Sequence, residues 1–269
     1  MKTGICNEIF SSWSIEKTIE YVSKTGYDGL EIAPFTLANS VDEISMQRRD
    51  EIRKKAEKHS IEIIGTHWLL VKPEGLSISS SDSGLRKKTS QYFEKLVRFT
   101  SDIGGKIMVL GSPKQRSISQ GQTARQVIEY FKEVIMPPLE IAKQNNITIC
   151  LEPLAKKETN FVNTATEALA IIKEINHPNL RLILDVKAMS DESRPYSEII
   201  FEGKEYLSHF HANDKNLLGP GSGDVDFGPI IKALKEISYQ GYISVEVFDF
   251  SPGPENIAEK SIQYLKKFL

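Results

Sequence analysis

Glu152, Asp185, His211 and Glu246 are metal-ligand residue types that recur along the second half of the chain at steps of 33, 26 and 35 residues. Each closes or sits within a short apolar run: Ile147–Leu151 before Glu152, Leu182–Leu184 before Asp185, His209-Phe210-His211, and Ile243–Val247 around Glu246. Taken singly, an acid in such a place is commonly a helix cap or a salt-bridge partner, and a histidine a hydrogen-bonded core residue. Their even phasing is what points to one site. Three carboxylates brought into a shielded pocket repel one another, and a divalent cation relieves that repulsion directly. Three oxygen donors with one imidazole nitrogen suit Mn²⁺, Mg²⁺ or Co²⁺ better than a thiolate-preferring metal, and Zn²⁺ also accepts all three residue types.

A cation held beside carboxylates has a definite use. The proton alpha to a carbonyl is too weakly acidic for an unaided carboxylate to remove quickly. A metal on the carbonyl and adjacent hydroxyl oxygens stabilises the enediolate that forms. Two carboxylates on opposite sides of the carbon can then act in turn. Proton return to the opposite face is epimerisation, return at the neighbouring carbon is isomerisation, and loss of a β-hydroxyl is dehydration.

Such residues need rigid elements to place them. Short β-rich runs occur at Lys2–Cys6, Gly29–Ala33, Ile61–His67, Lys106–Leu110, Ile147–Glu152, Leu180–Asp185, Leu207–His211 and Tyr242–Val247. Each precedes a stretch of helical periodicity. In Thr123–Gln144, Val127, Ile128, Phe131, Val134 and Ile135 make one apolar stripe. Ser14 with Lys17 reads as an incomplete capping box, and Asn163 or Thr164 caps the helix carrying Ala168 and Ile171. Eight strand-then-helix units match a (β/α)8 TIM barrel, an α/β fold whose usual size is roughly 250 residues. The rival, a doubly wound open sheet, lacks a GxGxxG turn here. No linker-like tract divides the chain, so residues 1–269 are expected to form a single domain.

Composition removes several function classes. The 34 Lys+Arg against 36 Asp+Glu give a formal charge of −2, too little positive charge for a nucleic-acid binder. There is no apolar run long enough for a transmembrane helix. Met1–Cys6 lacks the apolar stretch and cleavage site of a signal peptide. Cys6 and Cys150 are too few and too far apart for a disulfide framework or a CxxC motif. A cytoplasmic setting without membrane or nucleic-acid partners is expected. In a barrel, chemistry gathers at the C-terminal strand ends. Arg116, in Gly111–Arg116 after the fourth strand, is therefore a candidate to lean over the pocket and bind a polyhydroxy or anionic substrate.

Gly65-Thr66-His67-Trp68, Leu151-Glu152-Pro153, Leu184-Asp185-Val186, His209-Phe210-His211, Pro220–Phe227 and Gly241–Glu246 together resemble the sugar isomerase/epimerase family of xylose-isomerase-like TIM barrels. The likeness spans essentially the whole chain and is nearest to the ketose 3-epimerases. It implies one divalent ion, Mn²⁺ first, with Mg²⁺, Co²⁺ or Zn²⁺ as alternatives, held by Glu152, Asp185, His211 and Glu246. Glu152 and Glu246 double as the acid/base pair. It implies Glu158 and His67 as substrate contacts, a small-molecule sugar or sugar derivative as partner, and a homo-oligomer. Two positions depart from the pattern: Ala188 stands where many of the epimerases have a substrate-binding His, and Leu217 where they have an Arg. Lys187 is a candidate replacement contact. The departures keep a metal-dependent lyase or dehydratase on a keto-sugar, keto-inositol or keto-glycoside as the alternative. Related endonucleases that cut DNA with a multi-zinc cluster need more histidines than the five present.

Overall fold

The computed structural model describes residues 1–269. Eight strands, β1 (Lys2–Cys6), β2 (Gly29–Ile32), β3 (Glu62–Thr66), β4 (Ile107–Leu110), β5 (Thr148–Leu151), β6 (Leu180–Asp185), β7 (Leu207–Ala212) and β8 (Tyr242–Val245), close in that order into one parallel barrel. β8 pairs back onto β1, with Ile5 opposite Val245. The eight principal helices between and after them are α1 (Ile15–Thr25), α2 (Met46–Lys58), α3 (Ser83–Asp102), α4 (Ala124–Gln144), α5 (Ala165–Ile175), α6 (Tyr196–Gly203), α7 (Phe227–Glu236) and α8 (Pro254–Leu265). The fold is the expected TIM barrel.

Local sequence explains where the helices begin. Ser14 accepts from the Lys17 amide at the start of α1, and Thr123 with Gln126 completes a capping box on α4. Thr164 caps α5, again with a reciprocal partner in Glu167. Asn163 instead donates to the carbonyls of Leu154 and Thr159, bracing the loop after β5. None of the helices is long and apolar enough to cross a membrane.

The strand pleat then sorts side chains between two environments. Met108, Leu110, Ile149, Leu151, Leu182 and Leu184 join the large apolar cluster, which fills the space beneath the helices. The alternate residues Val109, Cys150 and Ile183 form a separate small cluster on the opposite face of the same strands. Two residues further along, the same inward faces carry Gly111, Glu152 and Asp185. On β7 and β8 the same step leads from His209 to His211 and from Ser244 to Glu246. Asp185 is the last residue of β6 and His211 the last but one of β7, whereas Glu152 and Glu246 lie one residue beyond their strands. The expected runs through Glu152 and Val247 are thus shorter as strands. There the backbone leaves the ladder just where side chains turn toward the mouth.

Candidate metal and substrate site

Strands five to eight bring Glu152, Asp185, His211 and Glu246 together. One ligand atom from each lies within 4.8 Å of all the others, and all four residues are buried. His211 Nδ1 stands 3.0 Å from Glu246 Oε2 and 3.8 Å from Glu152 Oε1. Neither His211 Nδ1 nor Glu246 Oε2 makes a hydrogen bond, although both are shut away from solvent. Buried polar atoms without partners are costly, and these two face a common centre rimmed by carboxylate oxygens. A divalent ion fits that donor set. Room for Glu152 comes from Gly111, where a Cβ would lie 2.3 Å from Glu152 Oε2.

Supporting partners hold the ligands in place. Asp185 Oδ1 accepts from the Ala188 amide at 2.8 Å, so this acid is also a helix cap, and its Oδ2 accepts from Asn213 Nδ2 at 2.5 Å. Asn213 Oδ1 in turn accepts from the Lys187 amide. Glu31, on the inner face of β2 and fully buried, accepts from His211 Nε2 at 3.2 Å and from His209 Nε2 at 2.8 Å. With Nε2 engaged there, it is Nδ1 of His211 that faces the quartet. Burial pushes the Glu31 carboxyl up, but the His209 and His211 imidazoles outweigh it and hold it well below the usual range.

The quartet's own titration reflects crowding. Burial first, then Glu246 and Asp185, push Glu152 up to about 8 against the opposing pull of His211 and Lys187. Burial lowers His211, but Glu246 and Glu31 outweigh it and hold the imidazole well above its ordinary value.

His67, Glu152, Glu158, Lys187 and Glu246 line one small pocket over the quartet, walled by Trp68, Leu154 and Phe248. His67 Nε2 pairs with Glu8 Oε2 at 2.7 Å. Burial pulls His67 down, but Glu8, with Glu31 and Glu246, pushes it up to about 9. Lys187 Nζ lies 2.8 Å from Glu158 Oε1 and 3.5 Å above the Phe248 ring. Burial opposes its charge, yet Asp185 and Glu158 raise its pKa, so it is an ammonium. A larger cavity of about 770 Å³ opens at the opposite, N-terminal end beside Glu62, Lys106 and Tyr242. It carries none of the quartet.

Arg116 does not lean over the pocket. Its side chain is fully buried, with Nη1 donating to Leu110 O and Nη2 to Val162 O. Those two loop carbonyls draw the guanidinium inward behind Glu152, and burial lowers its pKa to about 10 against the pull of Glu152 and Glu158. Leu217 is likewise off the pocket; its carbonyl accepts from Phe248 and Asp249 and so fixes the Phe248 wall. Glu8 and Glu31 were not among the sequence candidates. The available signal for Glu31 was an acid inside the apolar run Gly29–Ala33; for Glu8 it was a position two beyond the inward Cys6.

Comparison with known proteins agrees with this architecture. A family model described as xylose isomerase-like TIM barrel matches residues 19–268. D-psicose 3-epimerase of Agrobacterium fabrum is 27% identical over 258 residues, covering 92% of this chain and 85% of that protein. 3-Dehydro-D-guloside 4-epimerase of Escherichia coli is 22% identical over 286 residues, covering 99% of each. The crystal structure of a D-psicose 3-epimerase in the presence of D-fructose superposes with a TM-score of 0.88 at 23% identity, covering 100% of this chain and 99% of that one. At that identity the likeness speaks for the fold.

Proposed function

Because the chain belongs to the xylose isomerase-like TIM barrel family, we propose that it is a divalent-metal-dependent epimerase of keto-sugars or sugar derivatives. The observation that carries this reading is the convergence of three carboxylates and one imidazole, with His211 Nδ1 and Glu246 Oε2 buried and unpartnered. Glu152, Asp185, His211 and Glu246 would hold the ion, Mn²⁺ first and Mg²⁺, Co²⁺ or Zn²⁺ as alternatives. When bound, such an ion polarises a carbonyl and acidifies the neighbouring C–H.

The chain's own residues do the rest. Asp185, capping a helical turn and held by Asn213, and His211, held by Glu31, are fixed in orientation and serve as ligands. Glu152 and Glu246 are the two remaining carboxylates, one on each of two strand ends, and both line the pocket. One removes the proton from the substrate carbon and the other returns a proton to the opposite face. His67, Lys187 and Glu158 contact substrate oxygens, while Trp68, Leu154 and Phe248 exclude water. The named relatives favour epimerisation over the elimination that the same groups can catalyse. A homo-oligomer in the cytoplasm completes the proposal.

The test is NMR of keto-sugars and keto-glycosides incubated with metal-loaded protein in deuterated water. Deuterium at the carbon beside the carbonyl, with an epimer of otherwise unchanged mass, is the expected result. An unsaturated product, or no exchange across the panel with the ion bound, would overturn the reading.

A further inference from the structure

The pocket holds an ion pair that the quartet does not use. Lys187 is 4% exposed and Glu158 20% exposed at the side chain, and both line the pocket beside Glu152 and Glu246. An ammonium has three N–H donors and no acceptor. One of them reaches Glu158 Oε1 and the Phe248 ring lies against the same nitrogen. Glu158 Oε2 accepts from the Ala155 amide, which anchors the carboxylate, while Oε1 keeps a lone pair beyond the one used by Lys187. The lysine backbone is tied through Asn213 to Asp185. Donor and acceptor therefore stand side by side, 2.8 Å apart, in fixed register with a metal ligand.

We infer that Lys187 and Glu158 act as one unit that reads a gauche vicinal diol of the substrate. The N···O separation matches the spacing of two hydroxyl oxygens on adjacent carbons in a staggered, gauche arrangement. Lys187 donates to one hydroxyl oxygen, and the neighbouring hydroxyl donates to Glu158 Oε1. Because the pair is neutral as a whole, it selects two free hydroxyls over a charged group at the same place. The substrate class is thereby narrowed to sugars with adjacent unmodified hydroxyls next to the oxygens that face the quartet. Lys187 and Glu158 are the specificity-determining residues. A site that hydrogen-bonds a hydroxyl discriminates strongly against the analogue lacking it, because its own buried groups are then left unpaired.

This deepens the epimerase reading, and its catalytic arm rests on that reading, so a second arm uses a ligand with no carbonyl. In the first arm, deuterium exchange is compared between D-fructose and its single-deoxy analogues at carbons 4 and 5. Wild-type protein is expected to favour the intact diol by about 10- to 100-fold in kcat/KM. Lys187→Met and Glu158→Gln should each reduce that preference to near unity, mainly through KM. In the second arm, binding of myo-inositol to Mg²⁺-loaded protein is followed by the fluorescence of Trp68, which lines the pocket. Binding that is lost in both variants and unchanged in Glu62→Gln, on the opposite rim, supports the unit even if no keto-sugar exchanges. Glu158→Gln preserves side-chain volume and guards against misfolding of the lysine variant. Undiminished inositol binding in both variants, or none in the wild type, overturns the inference. So does an unchanged preference for the diol in the first arm.

Discussion

Replacing Glu31 by Gln isolates the support of one proposed metal ligand, His211, without altering the proposed ligand set. The carboxylate accepts from two imidazoles, His209 Nε2 at 2.8 Å and His211 Nε2 at 3.2 Å. A glutamine of the same shape has one acceptor oxygen and one NH2. The shorter bond to His209 keeps the oxygen, and the NH2 then meets the Nε2–H of His211, donor against donor. His211 relieves this by carrying its proton on Nδ1 instead. That removes the lone pair aimed at the quartet. Loss of such an outer partner costs metal affinity about 10- to 100-fold, or roughly 1.4–2.8 kcal/mol. Calorimetric titration of Mn²⁺ into chelator-treated wild type and Glu31→Gln measures it directly. Far-UV circular dichroism confirms that the barrel persists, and Glu62→Gln is the control for loss of one carboxylate elsewhere. An Mn²⁺ affinity for Glu31→Gln within twofold of wild type would refute the assignment of the His211 tautomer.

Other consequences are equally direct. Glu246→Gln should keep the fold and lose about 10²- to 10⁴-fold in substrate deuterium exchange, the usual contribution of a general acid or base; undiminished exchange would remove Glu246 from the acid/base pair. Chelation should lower the melting temperature and abolish exchange, and restoring the ion at about 100 times its Kd should return about 2.7 kcal/mol; identical melting curves with and without ion would contradict this. Glu152, at about 8, binds its proton more tightly folded than unfolded. The metal-free protein should therefore lose stability as pH rises from the ordinary carboxylate range through about 8, as denaturant titrations at several pH values will show. Over the same window Mn²⁺ affinity should climb by up to about tenfold per pH unit and level off above about pH 8, because the ion must displace that proton; a flat profile would count against a shared site. Thr164→Ala, which removes the side-chain cap of α5, should cost about 1 kcal/mol in the same titrations.

The barrel was legible because its signal repeats eight times and because parallel strands covered on both faces read as continuous apolar runs. The quartet was legible for a related reason: ligand-type residues stand out where an apolar run ends, and a βα repeat fixes their spacing. Glu31 follows the same pleat on β2 and Glu8 lies in the helical turn just after β1, yet each is a lone acid near an early strand. Their partners, His209 and His67, are 178 and 59 residues away, and only closure of the barrel brings them into contact. Arg116 failed as a pocket residue because arginine is ordinarily exposed or at a ligand. Its burial depends on the carbonyls of Leu110 and Val162, which no local pattern announces. Lys187 sits where its neighbour Ala188 breaks the family pattern, and its pairing with Glu158 again depends on tertiary structure.

Charge balance ties these residues into one device. Glu8, Glu31, Glu152, Asp185 and Glu246 are all buried at one end of a single barrel, an arrangement that isolated carboxylates in a low-dielectric interior cannot sustain. Glu8 is matched by His67, Glu158 by Lys187, and Arg116 lies behind Glu152. Glu31 is satisfied by two imidazole N–H groups. The acids left over are those of the quartet, and they are the ones next to the unpartnered His211 Nδ1. The crowding shows in Glu152, pushed up by burial and by Glu246, and in His211, held up by Glu246 and Glu31. On the proposed reading, a divalent cation would supply counter-charge at that point in competition with protons. The carboxylate that this crowding pushes up to about 8, Glu152, is also one of the two proposed to move protons on the substrate.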